Sequence, residues 1–366
     1  MSEWIAYTLG EVTTSFDSVR VPVKSTERIP GPYPYYGASG VVDHVSDYLL
    51  DGEYLLISED GENLRTRKTP VAFMATGKFW VNNHAHVARG NNLANTHFLC
   101  YLLAVTDISG YISGSTQPKL TQASLNSVKL KLPGRRQQDA IVEVLGALDD
   151  KIAVNERIAA TADNLMLAHL EESTYRSAVD VPLSEVAVFH NKKRIPLSSR
   201  ERSEVQGPYP YYGAAGVIDH VKEYLFSGPH VLVGEDGTVV TSEGRPVVQY
   251  VWGDFWVNNH AHVLTGTAIS SELLAISLRF TNVASLVTGA VQPKLNMRNL
   301  QRLSLRIPHE DHRHRVERLI ARLWETVRLR RDETRTLVAL RDTLLPQLMS
   351  GRLRVKDAEK IVEDHT

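Results

Sequence analysis

The sequence predicts an α+β protein: two globular mixed α/β heads in pseudo-twofold arrangement, separated by two long antiparallel coiled-coil helices. Three observations predict it. The decapeptide GPYPYYGASG at Gly31 returns as GPYPYYGAAG at Gly207, with a single difference, Ser39 against Ala215. The offset persists: NNHAHV opens at Asn82 and Asn258, a shift of 176, and QPKL at Gln117 and Gln292, a shift of 175. Each copy then closes on a long stretch of helical periodicity. Between Gly31 and Gly90, 33 of 60 positions match their partners without a gap. That unit is far longer than solenoid repeats of roughly 20–50 residues, so it is a duplicated domain.

The first head is expected over residues 1–134, with short strand-like runs such as YLLIS and FWVNNHAHV. Asp60-Gly61 marks a hairpin turn needing positive φ, and Asp236-Gly237 repeats it. Pro133 closes this head and Pro308 the other. A spacer helix follows over 135–179, periodic from Gln137 to about Thr174. The second head covers 180–308, restarting near VPLSEVA, with HVLVG and a second FWVNNHAHV. The second spacer covers 309–354, helical from Asp311 to about Leu345 and ending at Pro346 and Gly351. Residues 355–366 are expected as a polar tail.

Both spacers carry a seam of alternate fours and threes. In the first it runs Ile141, Leu145, Leu148, Ile152, Asn155, and in the second Val316, Ile320, Leu323, Val327, Arg330. Asn155 and Arg330 are matching polar breaks, of the kind that fixes register at some expense of stability. A helix of about 38 residues is roughly 57 Å long, more than one small head covers, so the seam should face another long helix. Antiparallel pairing returns the C-terminus to the first head.

Composition is that of a soluble protein: 366 residues, net charge −1, mean hydropathy −0.21. No apolar run is long enough to span a bilayer, and the N-terminus lacks a secretory design, so no membrane contact and a cytoplasmic location are expected. The single cysteine, Cys100, excludes an intramolecular disulfide and a cysteine-rich zinc site. Charge is uneven: Arg135–Val179 is net acidic by about three, whereas His309–Arg354 holds 11 basic and 7 acidic residues. No P-loop and no G-x-G-x-x-G after a strand is present, so cofactor chemistry is not expected in this chain.

The order of motifs resembles the specificity subunit of type I restriction-modification systems over essentially the whole chain. The resemblance rests on PYPYYGASG, NNHAHV, QPKLTQASLNSVKLKLP with its counterpart QPKLNMRNLQRLSLRIP, and the terminal LLPQLMSGRLRV. It implies that each head is a target recognition domain reading half of a bipartite double-stranded DNA site. It further implies that the helices set the gap and dock two methyltransferase subunits, joined in some assemblies by restriction (helicase-nuclease) subunits. The chain itself would be non-catalytic, with S-adenosylmethionine, ATP and Mg on the partner subunits.

Residues that differ between the copies are the candidates for reading different half-sites, because shared ones cannot distinguish them. In the first head these are Arg20, Lys24 and Arg28, with Arg65, Arg67 and Lys68. In the second they are Lys192, Lys193, Arg194, Arg200 and Arg202, with Arg245. Arginine and lysine can read guanine edges or hold phosphates. Lys119 and Lys294, in the shared QPKL, suit phosphate or fold. The shared tyrosines of PYPYY suit core packing better than base stacking.

His84/His86 and His260/His262, with Glu59-Asp60 and Glu235-Asp236 nearby, raise the alternative of a duplicated metal-dependent hydrolase. No third ligand has suitable spacing, so no metal is expected; the other reading is hydrogen bonding at an irregular buried junction. A coiled-coil adaptor without DNA is the remaining alternative.

Overall fold

The computed structural model describes residues 4–289 and 292–364. The chain divides into two compact units, Met1–Ala153 with Thr334–Thr366, and Val154–Glu333. Each long helix passes unbroken from one unit into the other: Arg135–Arg176 and Glu310–Met349. The units thus divide the helices midway, instead of leaving them outside the heads.

In the first unit, β1 (Ile5–Thr8) pairs with the late β10 (Lys129–Leu132). Strands β2 (Thr13–Ser15), β6 (Tyr54–Ser58), β7 (Ala72–Ala75) and β9 (Ala85–Gly90) form a sheet in the order β2-β9-β6-β7. Strands β3 (Pro30–Gly37), β4 (Gly40–Val45), β5 (Leu50–Asp51) and β8 (Lys78–Val81) form another, β4-β3-β8-β5. All five residues of β6 are buried. Leu55 and Ile57 join a core with Phe98 and Leu102 of the helix Thr96–Val105. Tyr54 and Leu56 join a second with Phe79 and Val81 of β8. A strand covered on both faces reads as a continuous apolar run, which is why YLLIS shows no alternation.

The second unit repeats this: β11 (Ala178–Pro182) pairs with β20 (Ser304–Pro308). Strands β12 (Ala187–Phe189), β16 (His230–Gly234), β17 (Val248–Val251) and β19 (Ala261–Gly266) order as β12-β19-β16-β17. Strands β13 (Tyr209–Tyr212), β14 (Val217–Val221), β15 (Phe226–Ser227) and β18 (Asp254–Val257) order as β14-β13-β18-β15.

The repeated decapeptide is the β3–β4 hairpin and its counterpart. Tyr35 and Tyr211 are each 1% exposed. Their hydroxyls accept the backbone N–H of Val23 at 2.9 Å and of Leu197 at 2.8 Å, so the motif builds core with its polar tip satisfied. Gly31 and Gly207 are required by close approach: a Cβ would lie 2.3 Å from the Cα of Ser46 or Lys222.

Four expectations are corrected. FWVNNHAHV is two strands, because Asn82 Oδ1 takes the His84 amide at 2.8 Å and closes a turn between β8 and β9. Gly61 and Gly237 do have positive φ, +106° and +81°. They close no hairpin, however; their amides bond Pro118 and Pro293. The second long helix runs beyond Pro346 and stops at Gly351, φ +70°. Burial of Leu348 and Met349 in the first unit's core offsets the roughly 3 kcal/mol an internal proline costs. Residues 355–363 form a helix, with Ala358 fully buried and Ile361 and Val362 against the same core, where a polar tail was expected.

The helices run antiparallel within each unit: Asn155 meets Glu333, while 169–176 lie across a cleft from 312–322. In the first unit Arg341 reaches Asp149 at 2.9 Å. Ile141, Leu145, Leu148, Ile152, Asn155, Val316, Ile320 and Val327 are buried as the seam requires. They are buried by their own heads as much as by the partner helix. Leu323 is only half-buried, and the neighbouring Trp324 is 0% exposed. Its ring lies 4.2 Å from that of Tyr250 in β17, and its Nε1–H donates to the Glu272 carbonyl at 3.3 Å. The polar breaks converge on one carboxylate, with Arg330 at 2.7 Å and Asn155 at 3.0 Å from Glu333 Oε2.

Candidate nucleic-acid interface

The shared polar residues of the first head form a clasp between β9, the β6 end and the turn Asp17–Val19. Asp17 accepts the Val87 amide at 2.7 Å and faces His86 Nδ1 at 2.6 Å, while His86 Nε2 faces the Leu120 carbonyl at 2.7 Å. Both ring nitrogens therefore face acceptors. Arg20 lies 3.2 Å from Asp17 and 2.5 Å from Glu59, which also takes Lys119 at 3.3 Å. Burial alone would raise the Asp17 carboxyl. The His86 and Val87 hydrogen bonds and the charges of His86 and Arg20 hold it below the aspartate range. Glu59 is lowered likewise, its burial outweighed chiefly by Arg20 and His86.

The second head has a corresponding clasp in which an amide replaces the Asp17 carboxylate. Asn191 stands where the first head has Asp17, and its Oδ1 accepts the Val263 amide at 3.0 Å. That fixes its Nδ2 toward His262 Nδ1, at 2.8 Å. Nδ1 must then be an acceptor, and Nε2–H donates to the Leu295 carbonyl at 2.7 Å. Burial pushes the His262 pKa down, so this ring is held neutral. Arg194 binds Glu235 at 2.7 Å and the Ala261 carbonyl at 2.7 Å.

Arg28 and Arg202 form the other matched pair. Arg28 reaches Asp43 at 3.0 Å with its guanidinium 4.3 Å above the Tyr35 ring. Arg202 reaches Asp219 at 2.8 Å and lies 5.3 Å above Tyr211. Hydrogen bonds from Gln206 and Arg202 bring the Asp219 carboxyl down to about 2. Of the sequence candidates, Arg20, Arg28, Arg194 and Arg202 are thus committed to the scaffold, which their differing local sequence had hidden.

Arg65 donates to the Gly114 carbonyl at 2.6 Å, and Arg67, at φ +47°, to that of Thr106 at 2.6 Å. Arg245 lies 3.3 Å from Glu243 and 5.3 Å above Phe280. Lys294 is 3.9 Å from Asp236, and Lys119 is held by Glu59; both are half exposed. The solvent-facing candidates are Lys24 (side chain 82% exposed), Lys68, Lys192, Lys193 and Arg200 (89%). They form the candidate nucleic-acid surface of the heads.

The histidines are occupied in the fold. His84 Nδ1 lies 2.8 Å from Asp60, and His260 meets Asp236 in the same way. Among the described residues no cluster of three or more His, Cys, Asp or Glu side chains is placed to hold a metal ion. Cys100 is a half-buried thiol whose pKa burial pushes up to about 12, which keeps it protonated. Among the described residues no helix is long and apolar enough to cross a membrane.

A family model described as the type I restriction modification DNA specificity domain matches residues 1–163 and 177–329. The chain is 38% identical over 144 residues to the type I restriction enzyme specificity subunit S.HindORF215P of Haemophilus influenzae. That match covers 38% of this chain and 36% of the relative, so it spans about a third of the relative's length. It is 21% identical over 350 residues to the MjaIX specificity subunit of Methanocaldococcus jannaschii, covering 83% of this chain and 80% of that one. Among solved structures, the S subunit of a type I restriction-modification system from M. genitalium aligns with TM-score 0.63 at 15% identity. It covers 95% of this chain and 96% of that one, and the likeness is one of fold.

Proposed function

Because this chain belongs to the type I restriction-modification DNA specificity family, we propose that it is the DNA-reading subunit of a methyltransferase or endonuclease assembly. Each head, residues 1–134 and 180–308, reads one half of a bipartite duplex site. The helices, residues 135–179 and 309–354, set the gap and dock two methyltransferase subunits; restriction subunits join where the system has them. The chain contributes recognition and no bond-breaking chemistry. S-adenosylmethionine, ATP and Mg belong to the partners.

One observation carries this reading: the family model matches twice, once on each copy of the duplicated head. A chain with two readers suits a two-part site. The copies keep their clasps, Arg20 with Glu59 and Arg194 with Glu235. They differ at solvent-facing cations: Lys24 and Lys68 in one, Lys192, Lys193 and Arg200 in the other. The test is co-expression with the methyltransferase subunits of the same system, followed by methylome sequencing. A two-part adenine motif with a fixed gap is expected. Methylation that is unchanged when this chain is omitted, or a single uninterrupted motif, overturns the reading.

A further inference from the structure

Most of the candidate arginines of the heads are bound internally. A different surface is rich in them. In the second unit the two long helices flank an open cleft of about 520 Å³. Arg315, Arg318 and Arg322 stand along one side, with His312 a turn before them. Arg176 and His169 stand on the other side. The three arginines are exposed and make no side-chain hydrogen bond or ion pair with the described residues. The carboxylate lining the cleft, Glu172, is 2.6 Å from Arg176 and engaged there. Spaced three and four residues apart, the arginines form one stripe about 10 Å long.

We propose that this stripe is a phosphate-binding surface for the backbone of duplex DNA, outside the heads. The inference rests on the DNA-reading assignment made above. Guanidinium forks bind phosphate oxygens in pairs, and unpaired arginines retain that capacity. An acidic protein helix is the less suitable occupant, because helix-in-groove docking needs apolar anchor sites. Here the apolar lining is Val316, 7% exposed, and the half-covered Leu319. The stripe is also absent from the other copy. A shift of 175 places Gln137, Ala140, Glu143 and Ala147 opposite His312, Arg315, Arg318 and Arg322. A subunit docking equivalently on both copies would use shared residues, so the occupant binds once per chain.

The experiment compares wild type with a triple variant, Arg315→Gln, Arg318→Gln and Arg322→Gln, each assembled with methyltransferase subunits. Affinity for a cognate and a random duplex is measured across a salt series. Each phosphate contact contributes about 0.9 to the slope of log affinity against log salt. The variant should bind both duplexes at least about tenfold more weakly, lose between about two and three from the slope, and keep its methylation motif. A triple Arg→Lys variant should keep the slope. If the lysine variant binds as poorly as the glutamine variant, charge is not what the stripe supplies and the proposal falls. Unchanged affinity and slope also overturn it. Loss of a bound subunit with DNA affinity unchanged overturns it in favour of an acidic protein partner. If wild type in assembly binds no DNA at all, the DNA-reading assignment fails, and this proposal with it.

Discussion

Asn191 presents its amide nitrogen to Nδ1 of His262 at 2.8 Å, where the first head sets the carboxylate of Asp17 2.6 Å from Nδ1 of His86. One substitution between the two clasps reverses the demand on the ring. His86 faces two acceptors. His262 faces a donor and an acceptor and is satisfied neutral.

The two heads should therefore respond differently to mild acid. Burial lowers the folded pKa of His262 below its unfolded value of about 6.5. Unfolded chains then bind more protons than folded ones, so the second head loses stability as pH falls below about 6.5. Asp17 is also lowered, but its contribution is present above the unfolded aspartate value of about 3.9 and is lost only below it. Hydrogen exchange at pH 7.5 and 5.5 should show β19 loosening while β9 does not. Asn191→Asp should reduce that acid sensitivity, because His262 could then donate from both nitrogens, while His190 and His230, also lowered by burial, keep the remainder. Loosening of β19 that is no smaller in the variant than in wild type would refute the assignment.

The basic residues divide into scaffold and surface, and substitution should separate them. Arg20→Ala removes the guanidinium shared by Glu59 and Asp17, largely buried carboxylates, and should destabilise the first head by about 3 kcal/mol, less whatever Lys119 and His86 still offset. The same holds for Arg194→Ala through Glu235. Lys192→Ala with Lys193→Ala should change stability by less than about 0.5 kcal/mol. It should weaken DNA binding with a shallower salt slope instead. Hydrogen exchange and salt titration, read together, distinguish the two effects. A stable Arg20→Ala head that has lost only DNA affinity would reverse the division.

The duplication, the long helices and the two-headed plan were legible because each leaves a periodic mark: a fixed offset, or apolar residues at threes and fours. The clasp was not legible. Arg20 and Glu59 are 39 residues apart, and nothing in the local pattern says that the guanidinium turns inward. Asp17 and Asn191 escaped for the opposite reason: a one-atom difference between copies looks like drift until the bonded histidine is seen. Trp324 escaped because a strict seam assigns the position to Leu323, whereas the helix must also cover its own head.

That last difference can be measured. Trp324→Ala removes a fully buried ring from between Tyr250 and the helix and should cost about 3–5 kcal/mol in the second unit. Leu323→Ala, half-buried, should cost about 1 kcal/mol. Exchange protection of β17, which carries Tyr250, reports on the contact directly. If Leu323→Ala proves the more damaging, the second helix is held by its seam and not by its head.

The final prediction concerns the gap between half-sites. Both long helices run unbroken through the boundary between units, and their polar breaks meet at Glu333, so register is anchored there. Seven residues inserted in each helix, after Asn155 and after Arg330, keep the apolar seam in phase and add about 10 Å of helix between the heads. Duplex DNA rises about 3.4 Å per base pair. The preferred gap should therefore lengthen by about three base pairs, with some adjustment for helical phase. An insertion of four residues would rotate the seam, expose Ile152 and Val327, and abolish assembly. The measurement is methylation of substrates with fixed half-sites and a gap varied one base pair at a time. An active heptad-insertion protein with an unchanged optimum would show that something other than these helices sets the spacing.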